Sequence, residues 1–326
     1  MVPVQARRLH PVIDQDIIES TLGAALRTGA DFAEIYAEDK RNTSVALDDG
    51  RIEQVTSGRD RGAGIRVIKG DTTGFAHTSD LTESGLAEAA FAAAAAASQG
   101  DGGTRTIAVS RSDARTVNDI DRYPDEIAKA DKVELVMSID EAARAAGNEI
   151  VQVSAGYGDS RKKVLIANSD GLLAQDDIVR VLARVSVVAD GDTGMQTGFQ
   201  SMGQTIGWEA FDTVDVEALA RDAARQAIVK LKARPAPSGP VPVVIKNGSG
   251  GVLFHEACGH GLEADHVQKG ASVYAGKIGE LVASPLVTLV DDGTLPTEWG
   301  TIAIDDEGHP TQRNVLIENG VLTDYM

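Results

Sequence analysis

The stretch Val179-Arg-Val-Leu-Ala-Arg-Val-Ser-Val-Val188 sets the fold class. Val179, Val181, Ala183, Val185 and Val187 alternate with Arg180, Leu182, Arg184, Ser186 and Val188. A period of two puts the first set on one face of a half-buried strand. Strand-forming residues continue on both sides, from Ile150 to Phe199, broken by turn residues at Gly158, Asn168–Gly171 and Asp190–Gly194. That pattern predicts a β meander. A long helical stretch, Asp125–Ala146, precedes it and ends at Gly147, and an amphipathic helix, Val216–Lys232, follows it.

Nearer the N-terminus, Ile17, Ile18, Thr21, Leu22, Ala25 and Leu26 recur at helical spacing, with Gly29 at a C′ position. Four short strand-like runs come next: Phe32–Glu38, Thr43–Leu47, Ile52–Thr56 and Gly64–Ile68. Asp49-Gly50 and Gly70-Asp71 are hairpin signals. An alanine-rich helix is expected from Thr82 to Ser98, capped near Asp80 and stopped by Gly100, with a loop at Asp101–Gly103. The segment Arg234-Pro-Ala-Pro-Ser-Gly-Pro-Val-Pro242 favours an extended connector and marks a domain boundary. Beyond it a strand is expected at Val241–Lys246, then a glycine-rich turn at Asn247–Gly251, and Leu281–Met326 is β-rich. The chain therefore reads as α+β. Residues 1–234 form an N-terminal α/β domain with a mixed sheet and long helices, and residues 235–326 begin a β-rich C-terminal domain.

Composition narrows the partners. The 326 residues carry 31 basic and 49 acidic side chains, a net charge of −18. Such a surface repels polyanions, so neither nucleic acid nor an anionic membrane is an expected partner. The single cysteine, Cys258, precludes an intramolecular disulfide and suits a reducing, cytoplasmic compartment. No apolar run approaches the ~18 residues of a membrane span, and no apolar stretch follows Arg7 and Arg8 as a secretory leader would need.

The chemistry concentrates in one place. Of six histidines, His255, His260 and His266 fall close together in Phe254-His-Glu-Ala-Cys-Gly-His-Gly-Leu-Glu-Ala-Asp-His266. The pattern is His-Glu-x-x-x-His, one residue longer than the zinc-protease His-Glu-x-x-His. Imidazole nitrogens are preferred zinc ligands, and an adjacent carboxylate can act as general base. The spacing makes a structural demand. On an α-helix, residues five apart point about 140° apart and cannot share an ion. An i→i+5 turn brings them back to about 50°. A wide turn is thus predicted over this segment, eased by Gly259 and Gly261; a regular helix from Phe254 to Leu262 would exclude a shared metal. The alternative is a pair of hydrogen-bonded histidines without metal. Cys258 reads better as a small buried residue than as a ligand. Glu263 and His266 are further candidate metal or site contacts, although His266 with Asp265 could equally be a solvated pair. Asn247–Gly251 lacks the Lys-Ser/Thr of a P-loop.

The segment Gly248–Asp265 resembles the zinc signature of the PmbA/TldD metallopeptidases, also called modulators of DNA gyrase, and is nearest the TldD branch. Lys269–Tyr274, Val290–Pro296, Asp305–Gly308, Val315–Leu322, Arg61–Val67 and Gly74–Leu81 are similar too. The resemblance implies a cytoplasmic zinc peptidase acting on unfolded or short peptides, with Zn2+ held by His255 and His260 and with Glu256 as general base. It implies a homodimer or a heterodimer with a related TldE/PmbA-type subunit. In that branch the third ligand is a distant cysteine, and none follows Cys258 here. The chain is accordingly expected to be truncated, with its third ligand beyond Met326 and a weak, inactive two-ligand site. The contrasting expectation is a non-catalytic subunit that binds a peptide or partner along a strand edge.

Overall fold

The computed structural model describes residues 11–97, 107–112, 118–192, 194–248 and 250–326. The expected cap at Gly100 and loop at Asp101–Gly103 lie outside them. Two compact units divide the chain: Met1–Ala233 with Pro296–Pro310, and Arg234–Leu295 with Thr311–Met326.

The first unit runs α1 (Gln15–Ala25), β1 (Phe32–Asp48), β2 (Arg51–Lys69), β3 (Thr72–Thr78), α2 (Glu83–Ala97), β4 (Ser110–Arg111), α3 (Lys129–Arg144), β5 (Ile150–Asn168), β6 (Leu172–Gly191), β7 (Gly194–Gln204), α4 (Ala210–Thr213) and α5 (Val216–Lys230). Its sheet is ordered β3-β2-β1-β5-β6, and both β4 and β7 pair with β6. Every pairing is antiparallel except that of β4 with β6.

The four short strands expected between Phe32 and Ile68 are two long ones. Pairing runs from Phe32 opposite Ile68 to Asp48 opposite Arg51, with one bulge between Ala46 and Leu47. The polar middle shows no apolar alternation, yet cross-strand partners hold it: Arg59 bonds Asp39 at 2.5 Å, and the Ser44 and Thr56 hydroxyls meet at 2.6 Å. Asp49 (φ 47°) and Gly50 (φ 78°) close this hairpin in the left-handed conformation a two-residue turn requires. Gly158 does not break the meander either, because β5 passes straight through it, paired on both sides with Ser44 and Leu182. The helix expected from Asp125 starts at Lys129 instead. Pro124 opens a short 3-10 turn, and Ile127 is extended (ψ 135°), which interrupts the helix.

β5 shows how the sheet is covered. Val153, Ala155, Tyr157, Leu165 and Ala167 share one parity, and Val164 and Ile166 the other. On the first face, α1 and α2 pack Ile18, Leu22, Leu86 and Ala90 against Ile35, Ile65 and Leu165. Further along the same face, α3 and α5 pack Val136, Ile139, Ala220 and Ala224 against Val45, Val153, Tyr157 and Val185. On the opposite face Ile304 covers Val164, Ile166, Ala174 and Ile178.

That cover comes from a stretch beyond the proline-rich connector. The proline-rich connector placed everything from 235 onward in the second domain, but residues 296–310 return to the first unit. The Ala303 amide donates to Asp176 Oδ2 at 2.8 Å, and the Thr205 hydroxyl donates to the Trp299 carbonyl at 3.0 Å.

The second unit contains α6 (Gly251–Phe254), α7 (Ala264–Gln268), β8 (Leu289–Asp292), β9 (Arg313–Glu318) and β10 (Val321–Leu322). The strands form an antiparallel sheet in the order β10-β9-β8, around a small core of Leu262, Leu316, Ile317 and Leu322. The strand expected at Val241–Lys246 does not form; those residues are exposed and unpaired with any strand. Pro240 and Pro242 each lack the N–H a ladder needs. Among the described residues, no helix is long and apolar enough to cross a membrane.

Candidate metal centre

The His-Glu-x-x-x-His segment is not a regular α-helix. After α6 the backbone opens into a π turn, His255–Gly259, and then tightens into a 3-10 turn, His260–Leu262. This is the wide turn that a five-residue spacing needs if both imidazoles are to face one point. Their ring centroids are 4.5 Å apart and their planes cross at 79°. His255, Glu256 and His260 each offer a ligand atom within 4.8 Å of the others. Two imidazole nitrogens suit a borderline-soft divalent ion such as zinc, and the carboxylate beside them can accept a proton from a water near that ion. All three side chains are exposed, so a ligand can reach them.

The turn is fixed from beneath. Leu262 is fully buried in the small core. Met326 flanks it with two backbone bonds: its amide donates to the Leu262 carbonyl, and the Ala264 amide donates to its carbonyl, each at 2.8 Å. The Ser272 hydroxyl donates to the Gly261 carbonyl. A Cβ on Gly261 would lie 3.0 Å from the Tyr274 ring, so this position suits glycine by close approach. The Tyr325 hydroxyl donates to the Tyr274 carbonyl at 2.7 Å.

Cys258 is half-buried and belongs to neither group of candidate ligands. Burial first, and then its bond with the Cys258 thiol, raise the pKa of the Tyr274 phenol. Glu263 bonds His260 Nδ1 through Oε1 at 2.7 Å, and its Oε2 lies 3.3 Å from His266 Nε2. On the other side of the His260 ring, Nε2 is 3.7 Å from Glu256 Oε2. The Glu263 hydrogen bond, assisted by the Glu256 charge, holds His260 above its ordinary pKa. Glu263, Asp265 and His266 also converge within 4.8 Å, but Lys269 already pairs with Asp265 at 2.9 Å. The structure thus places the five residues singled out from the sequence in two separate groups, linked by the bond between Glu263 and His260. The spacing could not show that Glu263 faces the far nitrogen of His260. Nor could it show the support from Ser272, Tyr274 and the last residues of the chain, which are distant in sequence.

Three stretches match successive domains of one family: PmbA/TldA metallopeptidase domain 1 at residues 33–97, the central domain at 122–231 and the C-terminal domain at 238–326. The chain belongs to the PmbA/TldD metallopeptidase family. A metalloprotease TldD homologue from Haemophilus influenzae is 39% identical over 306 residues, which cover 91% of this chain and 63% of that protein. A metalloprotease from Methanothermobacter thermautotrophicus is 35% identical over 314 residues, covering 96% and 68% respectively. The chain therefore spans less than two thirds of the length of the Haemophilus relative. Among solved structures, a protein described as a modulator of DNA gyrase from Thermotoga maritima superimposes with a TM-score of 0.80 at 23% identity, covering 95% of this chain and 70% of that one. TldE from Thermococcus kodakarensis gives 0.77 at 21% identity, covering 95% and 69%. The fold is shared with both.

Proposed function

We propose that this chain carries the zinc-binding and general-base residues of a peptidase that cleaves unfolded or short peptides. The observation that carries the reading is the π turn, which sets the His255 and His260 rings 4.5 Å apart beside Glu256. In this reading His255 and His260 hold the ion. Zinc supplies Lewis acidity that makes water a competent nucleophile near neutral pH. Glu256 takes one proton from the attacking water and delivers it to the nitrogen leaving the broken amide bond. Its exposed position leaves room for a peptide beside it. The surface charge of −18 favours neutral or basic peptides over acidic ones. A cytoplasmic setting, and a homodimer or a pairing with a TldE/PmbA-type subunit, complete the proposal.

The test uses zinc stoichiometry and hydrolysis of a short unstructured peptide. His255→Ala and His260→Ala are expected to lose the ion. Glu256→Gln is expected to keep it and to cleave about 10²–10⁴-fold more slowly, the range for a removed general base. If Glu256→Gln binds zinc and cleaves as fast as the parent, Glu256 is not the base.

A further inference from the structure

The geometry points to Glu263 as a positioning residue: its carboxylate holds His260 in the Nδ1–H tautomer and leaves the Nε2 lone pair on the side of Glu256. This inference rests on the zinc reading for its purpose, while the contact between Glu263 and His260 is independent of any ion. A neutral imidazole can carry its proton on either nitrogen, and the hydrogen bond made by one nitrogen decides which is free to ligate. Here Oε1 of Glu263 lies 2.7 Å from Nδ1 of His260, a short, charge-assisted contact that places the proton on Nδ1. Nε2 then faces the opposite way, 3.7 Å from Glu256 Oε2. The sequence offered Glu263 as a candidate third ligand. Its two oxygens are instead engaged by two histidines, Oε1 with His260 and Oε2 with His266 Nε2 at 3.3 Å.

The backbone explains why this carboxylate can orient a ring. Glu263 is extended (φ −66°, ψ 128°) between the 3-10 turn and α7. Its neighbours on either side, Leu262 and Ala264, are each bonded to the backbone of Met326 at 2.8 Å. Leu262 is also anchored in the core of this unit. The carboxylate therefore projects from a fixed point onto a ring carried by the preceding turn. Carboxylates placed behind ligating histidines commonly support metal affinity by 10–100-fold.

The experiment reads the ring directly, in the metal-free chain, by long-range 1H–15N NMR of His260 at a pH where the imidazole is neutral. The parent is expected to show the Nδ1–H pattern, and Glu263→Ala to lose that bias. Glu263→Gln keeps an acceptor oxygen and is expected to retain more of it. Zinc titration of the same proteins should show about a 10–100-fold weaker Kd for Glu263→Ala and a smaller loss for Glu263→Gln. The backbone amide shifts of Leu262 and Ala264 check that the turn is intact. An Nε2–H tautomer in the parent, or an unchanged tautomer in Glu263→Ala, overturns the proposal. Equal loss of zinc in Gln and Ala variants with the tautomer unmoved would make Glu263 a ligand instead. If the tautomer behaves as expected but zinc binding ignores His255→Ala, the positioning stands and the zinc reading fails.

Discussion

Among the described residues, Lys132 is the most deeply buried charge in the first unit, with its side chain 1% exposed. Its ammonium sits 2.6 Å from Asp159 Oδ2, and the Tyr157 hydroxyl donates to the same oxygen at 2.8 Å. Burial first, and then the Asp159 charge, push the Tyr157 phenol well above its ordinary pKa, so it stays protonated and remains a donor. The cluster ties α3 to β5 in the middle of an apolar core, where Trp208 and Phe211 flank the tyrosine ring. A buried pair adds little net stability over an apolar substitute, but removing one partner leaves the other charge stranded. Lys132→Met should therefore destabilise the first unit by about 3–5 kcal/mol, measured by urea unfolding. Adding Asp159→Asn to Lys132→Met should recover part of the loss. A change below about 0.5 kcal/mol in the single variant would mean that Asp159 is relieved by water or by its tyrosine alone.

At the scale of the element, two strand glycines decide how closely the alanine-rich helices approach the sheet. A Cβ on Gly74 of β3 would lie 2.0 Å from the Ala93 carbonyl oxygen of α2, and one on Gly198 of β7 would lie 1.8 Å from the Ala223 carbonyl oxygen of α5. These contacts are with helix backbone, which cannot swing aside. Gly158 of β5 has nothing within 4 Å of the same position. Gly74→Ala and Gly198→Ala should each cost about 1–3 kcal/mol or more through forced helix displacement. Gly158→Ala should be neutral or slightly stabilising through the unfolded chain. Thermal unfolding of the three variants checks the ranking, and equal costs would sink the close-approach account. None of this was legible in the sequence, which shows a glycine but not the helix that crosses it. What was legible followed from local periodicity or local geometry. The helices α1, α2 and α5 lie close to their expected spans, and the five-residue spacing of His255 and His260 required the turn that forms. The polar middle of the β1–β2 hairpin was not legible, because its strand character comes from partners across the ladder. The strand expected at Val241–Lys246 failed for the complementary reason: apolar residues without an available partner stay unpaired. The nitrogen of His260 that Glu263 grips was also hidden, since spacing gives proximity and not ring orientation.

At the scale of the whole molecule, the charge of −18 raises the question of what acid does to the first unit. Two effects compete. Protonating carboxylates relieves self-repulsion, which favours the compact state. Against this, several aspartates in the unit are held below their ordinary pKa: Asp222 at about 2 by Arg225 and then Gln200, Asp39 by Arg59, Asp48 by Ser154 and then Gln152, and Asp80 by Thr82. For these groups the unfolded chain binds protons at a higher pH than the folded one. Their contribution is complete above about pH 4 and is lost as pH falls toward about 2. In that window the first effect also changes sign, because 31 lysines and arginines remain charged while the carboxylates are neutralised. Both effects then destabilise the fold together. The two tryptophans, Trp208 and Trp299, both lie in the first unit, so tryptophan fluorescence follows its unfolding alone. The urea midpoint should hold from pH 7 to about 5 and drop clearly between pH 4 and 3. Asp222→Asn should lower the midpoint at pH 6 more than at pH 3, narrowing the difference between the two. A midpoint at pH 3 equal to that at pH 6 would show that these depressed aspartates contribute nothing to the folded unit.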